Sequence, residues 1–173
     1  MAQQSWSPGM EISAEQKARS ARRTVQKLQA ALHDCAQQEC IGSELFPPLE
    51  IHDVTPLKPY IGGFRILFRP SPEHALSEVL SIFISLELLD ENSEAVRVFC
   101  AAAVSATPLE MPPGDSLHTQ EVFKGVYNRA SVSEKLRGML YQMFDEAQQV
   151  QRTAEVGSAP IWLTDLIQGE AGE

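Results

Sequence analysis

The clearest pattern in this chain is an alternation of apolar and polar positions between Leu80 and Val104. Leu80, Ile82, Ile84, Leu86 and Leu88 fall on one side of an extended chain, and Ser81, Phe83, Ser85 and Glu87 on the other. Asp90-Glu-Asn-Ser93 supplies turn residues. The alternation then resumes with Val96, Val98, Cys100, Ala102 and Val104, opposed by Arg97, Phe99, Ala101 and Ala103. Two long strands joined by a short polar loop predict an antiparallel hairpin. A helix is the rival for the alanine-rich stretch 99–106, but the β-branched run before it favours a strand. Upstream, Gly62-Gly63 predicts a turn leading into a strand in which Phe64, Ile66 and Phe68 alternate with Arg65, Leu67 and Arg69. Leu49 to Thr55 reads as an earlier strand that Pro56 and Pro59 confine to a sheet edge.

The pattern on either side has helical spacing. Ser13-Ala-Glu-Gln16 has the form of a capping box. Behind it Ala14, Ala18, Ala21, Val25, Leu28, Leu32 and Cys35 recur every three or four residues, a seam of about three heptads. The seam fits a coiled coil or a long helix laid on the body, and its alanine half buries little surface for self-association. After the loop marked by Pro108, Pro112, Pro113 and Gly114, the rest reads as helical. Val122, Phe123, Val126 and Tyr127 line a short segment, and Ser131-Val-Ser-Glu134 is a second capping box. Val132, Leu136, Met139, Leu140, Met143, Phe144, Ala147 and Val150 then form a broad apolar stripe. The expected class is α+β: a long N-terminal helix, an antiparallel sheet with a long central hairpin, and C-terminal helices packed on one face. The expected organisation is a flexible leader over 1–12, the helix over 13–40 and a single α+β domain over 41–173.

Composition narrows the function classes. The 173 residues carry 43% hydrophobic and 21% charged side chains, which suits a folded domain. A net charge of −9 disfavours a nucleic-acid surface and docking on anionic membranes. Residues 1–40 carry a net +1, because Lys17, Arg19, Arg22, Arg23 and Lys27 outweigh Glu11, Glu15, Asp34 and Glu39. A basic helix on an acidic body can pair with an acidic partner or fold back on its own chain. No segment offers the roughly 20 apolar residues of a membrane span, and the N-terminus lacks a signal-peptide pattern. Cytoplasm is the expected location.

Candidate chemistry is sparse. The three cysteines contain no CxxC pair; Cys35, Cys40 and nearby His33 make a poor zinc set, and buried thiols are the plainer reading. There is no GxSxG elbow, no HExxH helix and no phosphate loop after Gly62-Gly63. His52 and Asp53 are adjacent on a strand and point to opposite faces. Glu78, Glu87 and Glu94 read as a solvated face, and His33, His74 and His118 as surface residues. The expectation is a protein that is not an enzyme and needs no cofactor or metal.

Four stretches resemble the SecB-like export chaperones. These are Leu49-Glu-Ile-His-Asp-Val-Thr-Pro-Leu, the hairpin from Glu78 to Val104, Val126-Tyr-Asn-Arg-Ala-Ser-Val-Ser-Glu-Lys-Leu, and Ala159-Pro-Ile-Trp-Leu-Thr-Asp-Leu-Ile. The resemblance covers roughly residues 49–173. It implies an ATP-independent holdase for unfolded polypeptide clients, assembled as a homo-oligomer, with a Pro-led terminal helix. Phe64, Ile66, Phe68, Phe83 and Phe99 are then the candidate client-binding residues, since aromatics dominate interface energies. Ordinary core packing is the plainer role of each. The alternative is a structural or assembly subunit docked on a dedicated protein partner through the helix around Arg19–Lys27.

Overall fold

A computed structural model describes residues 8–40, 46–54, 62–90, 95–110, 118–153 and 159–165. The chain opens with helix α1, Pro8–Cys40, followed by strands β1, Leu49–Asp53, and β2, Gly62–Phe68. The central hairpin is β3, Val79–Asp90, and β4, Ala95–Ser105. Strand β5, Gln120–Val126, helix α2, Arg129–Thr153, and the short strand β6, Ile161–Trp162, complete it. The strands form an antiparallel sheet in the order β1-β2-β3-β4-β5, with β6 paired to the far end of β4. The class is α+β, as the segregated strand and helix patterns predict.

Period-two alternation builds the core directly. In register, Phe64 meets Ile84 and Cys100, Ile66 meets Ile82 and Ala102, and Phe68 meets Leu80 and Val104. That face carries both helices, through Leu28, Leu32, Cys35 and Ala36 of α1 and Val132, Leu136, Leu140, Met143 and Ala147 of α2. Phe46, ahead of β1, packs its ring between Phe68, Tyr141 and Phe144 at centroid distances of 5.8, 5.0 and 5.1 Å. Such offset and edge-on pairs add stability beyond their buried area. α1 therefore lies on its own sheet from Val25 onward. The side chains of Ala14, Ala18 and Ala21, the first half of the expected seam, lie outside the described residues.

The opposite sheet face is also buried where it crosses β2, β3 and β4. Arg65, Leu67, Ser81, Phe83, Ala101 and Ala103 are all buried there. The chain leaving β4 crosses this face: the Leu109 carbonyl accepts from Arg65 Nη1 at 2.6 Å, and the Leu109 N–H donates to Ser81 Oγ at 3.3 Å.

Four expectations are corrected. α1 starts at Pro8 rather than Ser13, so the leader expected over 1–12 is helical from residue 8; proline suits a first turn, where its missing N–H costs nothing. The segment around Val122 is strand β5, not a helix. A bulge causes the misreading: Val98 pairs Phe123 and Phe99 pairs Glu121, so Val122 is an extra residue that sets two apolar side chains side by side. The tail piece enters as strand β6 before a helical turn at 163–165, so among the described residues α2 is the sole long C-terminal helix on the core face. The cap of α2 is Asn128 rather than Ser131: its Oδ1 accepts the Ser131 N–H at 3.1 Å and its carbonyl the Val132 N–H at 2.9 Å.

Candidate docking cleft

Four of the five sequence-predicted client residues are buried. Phe64, Ile66 and Phe68 are 0% exposed beneath the helices, and Phe83 is 1% exposed on the opposite face. Phe99 is half-buried, with the Arg97 guanidinium 5.1 Å over its ring. The structure thus separates the five between two faces and gathers none of them into an open groove. Among the described residues the exposed large hydrophobics are Leu89, Val126 and Tyr141, on three different elements.

The histidines are less solvated than their contexts suggest. His33 is half-buried with its ring 5.8 Å from that of Phe64. His74 Nδ1 lies 2.7 Å from Ser71 Oγ. His118 stacks on Trp162 at 4.7 Å, places Nδ1 2.5 Å from Asp165, and accepts the Thr164 hydroxyl at its carbonyl. This clasp fastens the C-terminal segment beside β5. His52 and Asp53 diverge as expected, His52 to Glu50 at 3.4 Å and Asp53 to Gln29 at 3.1 Å. Hydrogen bonding from Arg69, 2.5 Å away, holds the Glu50 carboxyl below its ordinary pKa. Glu87 pairs with Arg97 at 3.9 Å, and Glu94 lies outside the described residues.

The cysteines are separated as well. Cys35 and Cys100 are buried free thiols; Cys35 donates to Ser133 Oγ at 3.1 Å, and Cys100 lies 3.2 Å from the Met139 sulfur. The side chain of Cys40 lies outside the described residues. Among the described residues no three His, Cys, Asp or Glu side chains gather as a metal site. None of the described helices is long and apolar enough to cross a membrane.

A cleft of about 1040 Å³ opens between α1 and one end of the sheet. Arg22, Gln26, Gln29, Ala30, His33 and Asp34 line it from the helix. Asp53 and Val54 after β1, Gly62 and Gly63 of β2, and Leu88 and Leu89 of β3 line it from the sheet. Its geometry follows from how closely α1 approaches β2. A Cβ on Gly62 would stand 2.8 Å from both Gln29 Oε1 and Val25 Cγ1, so glycine permits the approach. Gln29 Oε1 accepts the Gly63 N–H at 3.1 Å while its Nε2 donates to Asp53 at 3.1 Å. One side chain therefore joins the helix to two strands.

The charged groups of the cleft are unequally engaged. Both of its carboxylates are engaged, Asp53 by Gln29, and Asp34 by Arg129 at 3.3 Å and Gln38 at 3.3 Å. Arg22 makes no ion pair among the described residues. Arg19, Arg23 and Lys27 are exposed and equally free of ion pairs among those residues. Spaced three and four apart, these cations share one side of the helix. The described side chains of α1 before Thr24 are all exposed, so this stripe continues along the helix from the cleft. Charge alone marks Arg19 to Lys27 in the sequence, whereas the cleft joins residues 24 and 34 positions apart and leaves no local signal. Compared with protein-family models, curated proteins and solved structures, the chain matches none at a significant level.

Proposed function

We propose that this chain is a non-catalytic protein-binding module, an adaptor or assembly subunit, that docks a dedicated partner along α1 at Arg19–Lys27 and in the adjoining cleft. The observation that carries this reading is the basic stripe of α1, without ion pairs among the described residues, running into the cleft beside it. Half of a 33-residue helix is left without a buried side chain among those described, while its second half is fixed in the core. The helix is about 50 Å long, its buried side chains among those described run only from Val25 to Ala36, and the part before them serves as a lever for assembly. The reading includes a cytoplasmic location, in keeping with buried free thiols.

General holding of unfolded clients, which the SecB resemblance implies, requires an accessible apolar surface. Four of its five proposed residues, Phe64, Ile66, Phe68 and Phe83, are instead buried and Phe99 is half-buried, so dedicated docking is the better-supported function. The test is co-elution. The chain expressed in its own cells should run in a complex larger than itself or its homo-oligomer. The triple variant Arg19→Glu, Arg22→Glu, Arg23→Glu should return to the free elution volume with an unchanged melting midpoint. A variant that stays in the complex would contradict the proposal.

A further inference from the structure

Resting on that docking reading, we infer that the partner presents an acidic polypeptide segment carrying interspersed apolar side chains, with Arg22 as the central anchor. The cleft has two chemistries in one place. Its rim supplies Arg22, continued by Arg19, Arg23 and Lys27, all without ion pairs among the described residues. Its lining also includes half-buried Val54 and Leu88 and exposed Leu89 and Ala30. Of the two carboxylates, Asp34 is paired with Arg129, whereas Asp53 is held by the neutral amide of Gln29 and keeps its charge. Four cations from Arg19 to Lys27 thus stand without ion pairs among the described residues, beside the single uncompensated carboxylate of Asp53. The charge left to be satisfied along this stripe is therefore positive, and Val54, Leu88 and Leu89 offer apolar surface next to it.

That pairing selects among polyanions. A nucleic acid offers phosphates but no aliphatic groups for Leu88 and Leu89. An anionic bilayer is flat on this scale and cannot fill a concave cleft, and the chain's net charge of −9 opposes its approach. An extended or helical segment alternating carboxylates with leucine-like residues satisfies both chemistries. Guanidinium groups hold carboxylates in a bidentate geometry that lysine cannot reproduce, which marks Arg22 as the specific contact. Rim charges act mainly on encounter rate and salt dependence, so binding by this stripe weakens as salt rises.

The experiment uses the whole chain and a fluorescein-labelled peptide alternating glutamate with leucine, read by anisotropy. The glutamate–leucine peptide should bind, and Arg22→Glu should weaken it about tenfold or more. Lys135→Glu, an exposed cation on α2, should leave the affinity unchanged. A lysine–leucine peptide should not bind. Absence of binding, binding indifferent to Arg22→Glu, or equal binding of the lysine peptide would each overturn the inference. So would sedimentation with phosphatidylserine vesicles in preference to peptide binding, which would assign the stripe to a membrane. If the acidic peptide fails while the Arg19, Arg22, Arg23 triple variant still loses its cellular complex, the docking reading stands and the acidic chemistry falls.

Discussion

The side-chain oxygen of Gln29 accepts the backbone N–H of Gly63 at 3.1 Å, tying the middle of α1 to the start of strand β2. The bond is partly buried and bridges 34 positions of sequence, so it fixes where the helix lies on the sheet. Gln29→Ala removes it and leaves the Gly63 N–H in search of water. The expected cost is about 1–2 kcal/mol, read as a lower midpoint in urea unfolding. An unchanged midpoint would show that α1 is placed by its apolar face alone.

Two glycine substitutions should act in opposite directions. Gly62→Val puts a Cβ within 2.8 Å of Gln29 Oε1 and Val25 Cγ1, and relief requires those side chains or the helix to move. A loss of about 1–3 kcal/mol is expected. A Cβ at Gly138, in α2, meets nothing within 4 Å. Gly138→Ala should therefore gain about 0.5–1 kcal/mol from helix propensity. Thermal melting of both variants checks the pair, and equal shifts of one sign would contradict the packing described.

Leu32 is 1% exposed, in the half of α1 that belongs to the core. Leu32→Ala should cost about 2–5 kcal/mol in chemical unfolding, as for other buried leucines. Exposed Lys27, one turn earlier, should change stability by no more than about 0.5 kcal/mol when replaced by alanine. Similar small losses at both sites would mean that the helix packs on a neighbour rather than on its own sheet.

Burial pushes the Cys100 thiol far above its ordinary pKa. The folded chain then keeps the proton at pH values where the unfolded chain releases it. The contribution to stability is intact below the ordinary thiol pKa, about 8.5, and declines as pH rises beyond it. In a Cys35→Ala, Cys40→Ala background, Cys100 should react with a disulfide reagent only as fast as the chain unfolds. Rapid labelling at neutral pH would place the thiol outside the core.

The hairpin, the strand at Phe64–Phe68 and the stripe of α2 were legible because burial on one face repeats at period two or 3.6. The expectation failed where a single residue breaks that period. The bulge at Val122 sets it beside Phe123, and the pair then mimics helical spacing. The cap of α2 was misplaced because Ser131 matched a capping box, whereas Asn128 lies where the chain leaves β5. Phe83 was read correctly as opposing Ile82 and Ile84. Its burial depends on chain far away in sequence crossing at Leu109, which no local pattern encodes. The candidate site was half legible: the cations of α1 show in the sequence, but the cleft beside them exists only once Gln29 meets Gly63 and Asp53.

The most direct measurement places a photo-crosslinking side chain at Gln26, inside the cleft, and separately at Glu134, an exposed position on α2. Each variant is expressed in the cells the protein comes from and irradiated. Dedicated docking predicts one discrete adduct from Gln26 and none from Glu134. No adduct at Gln26, or a broad smear of masses from both positions, would contradict it.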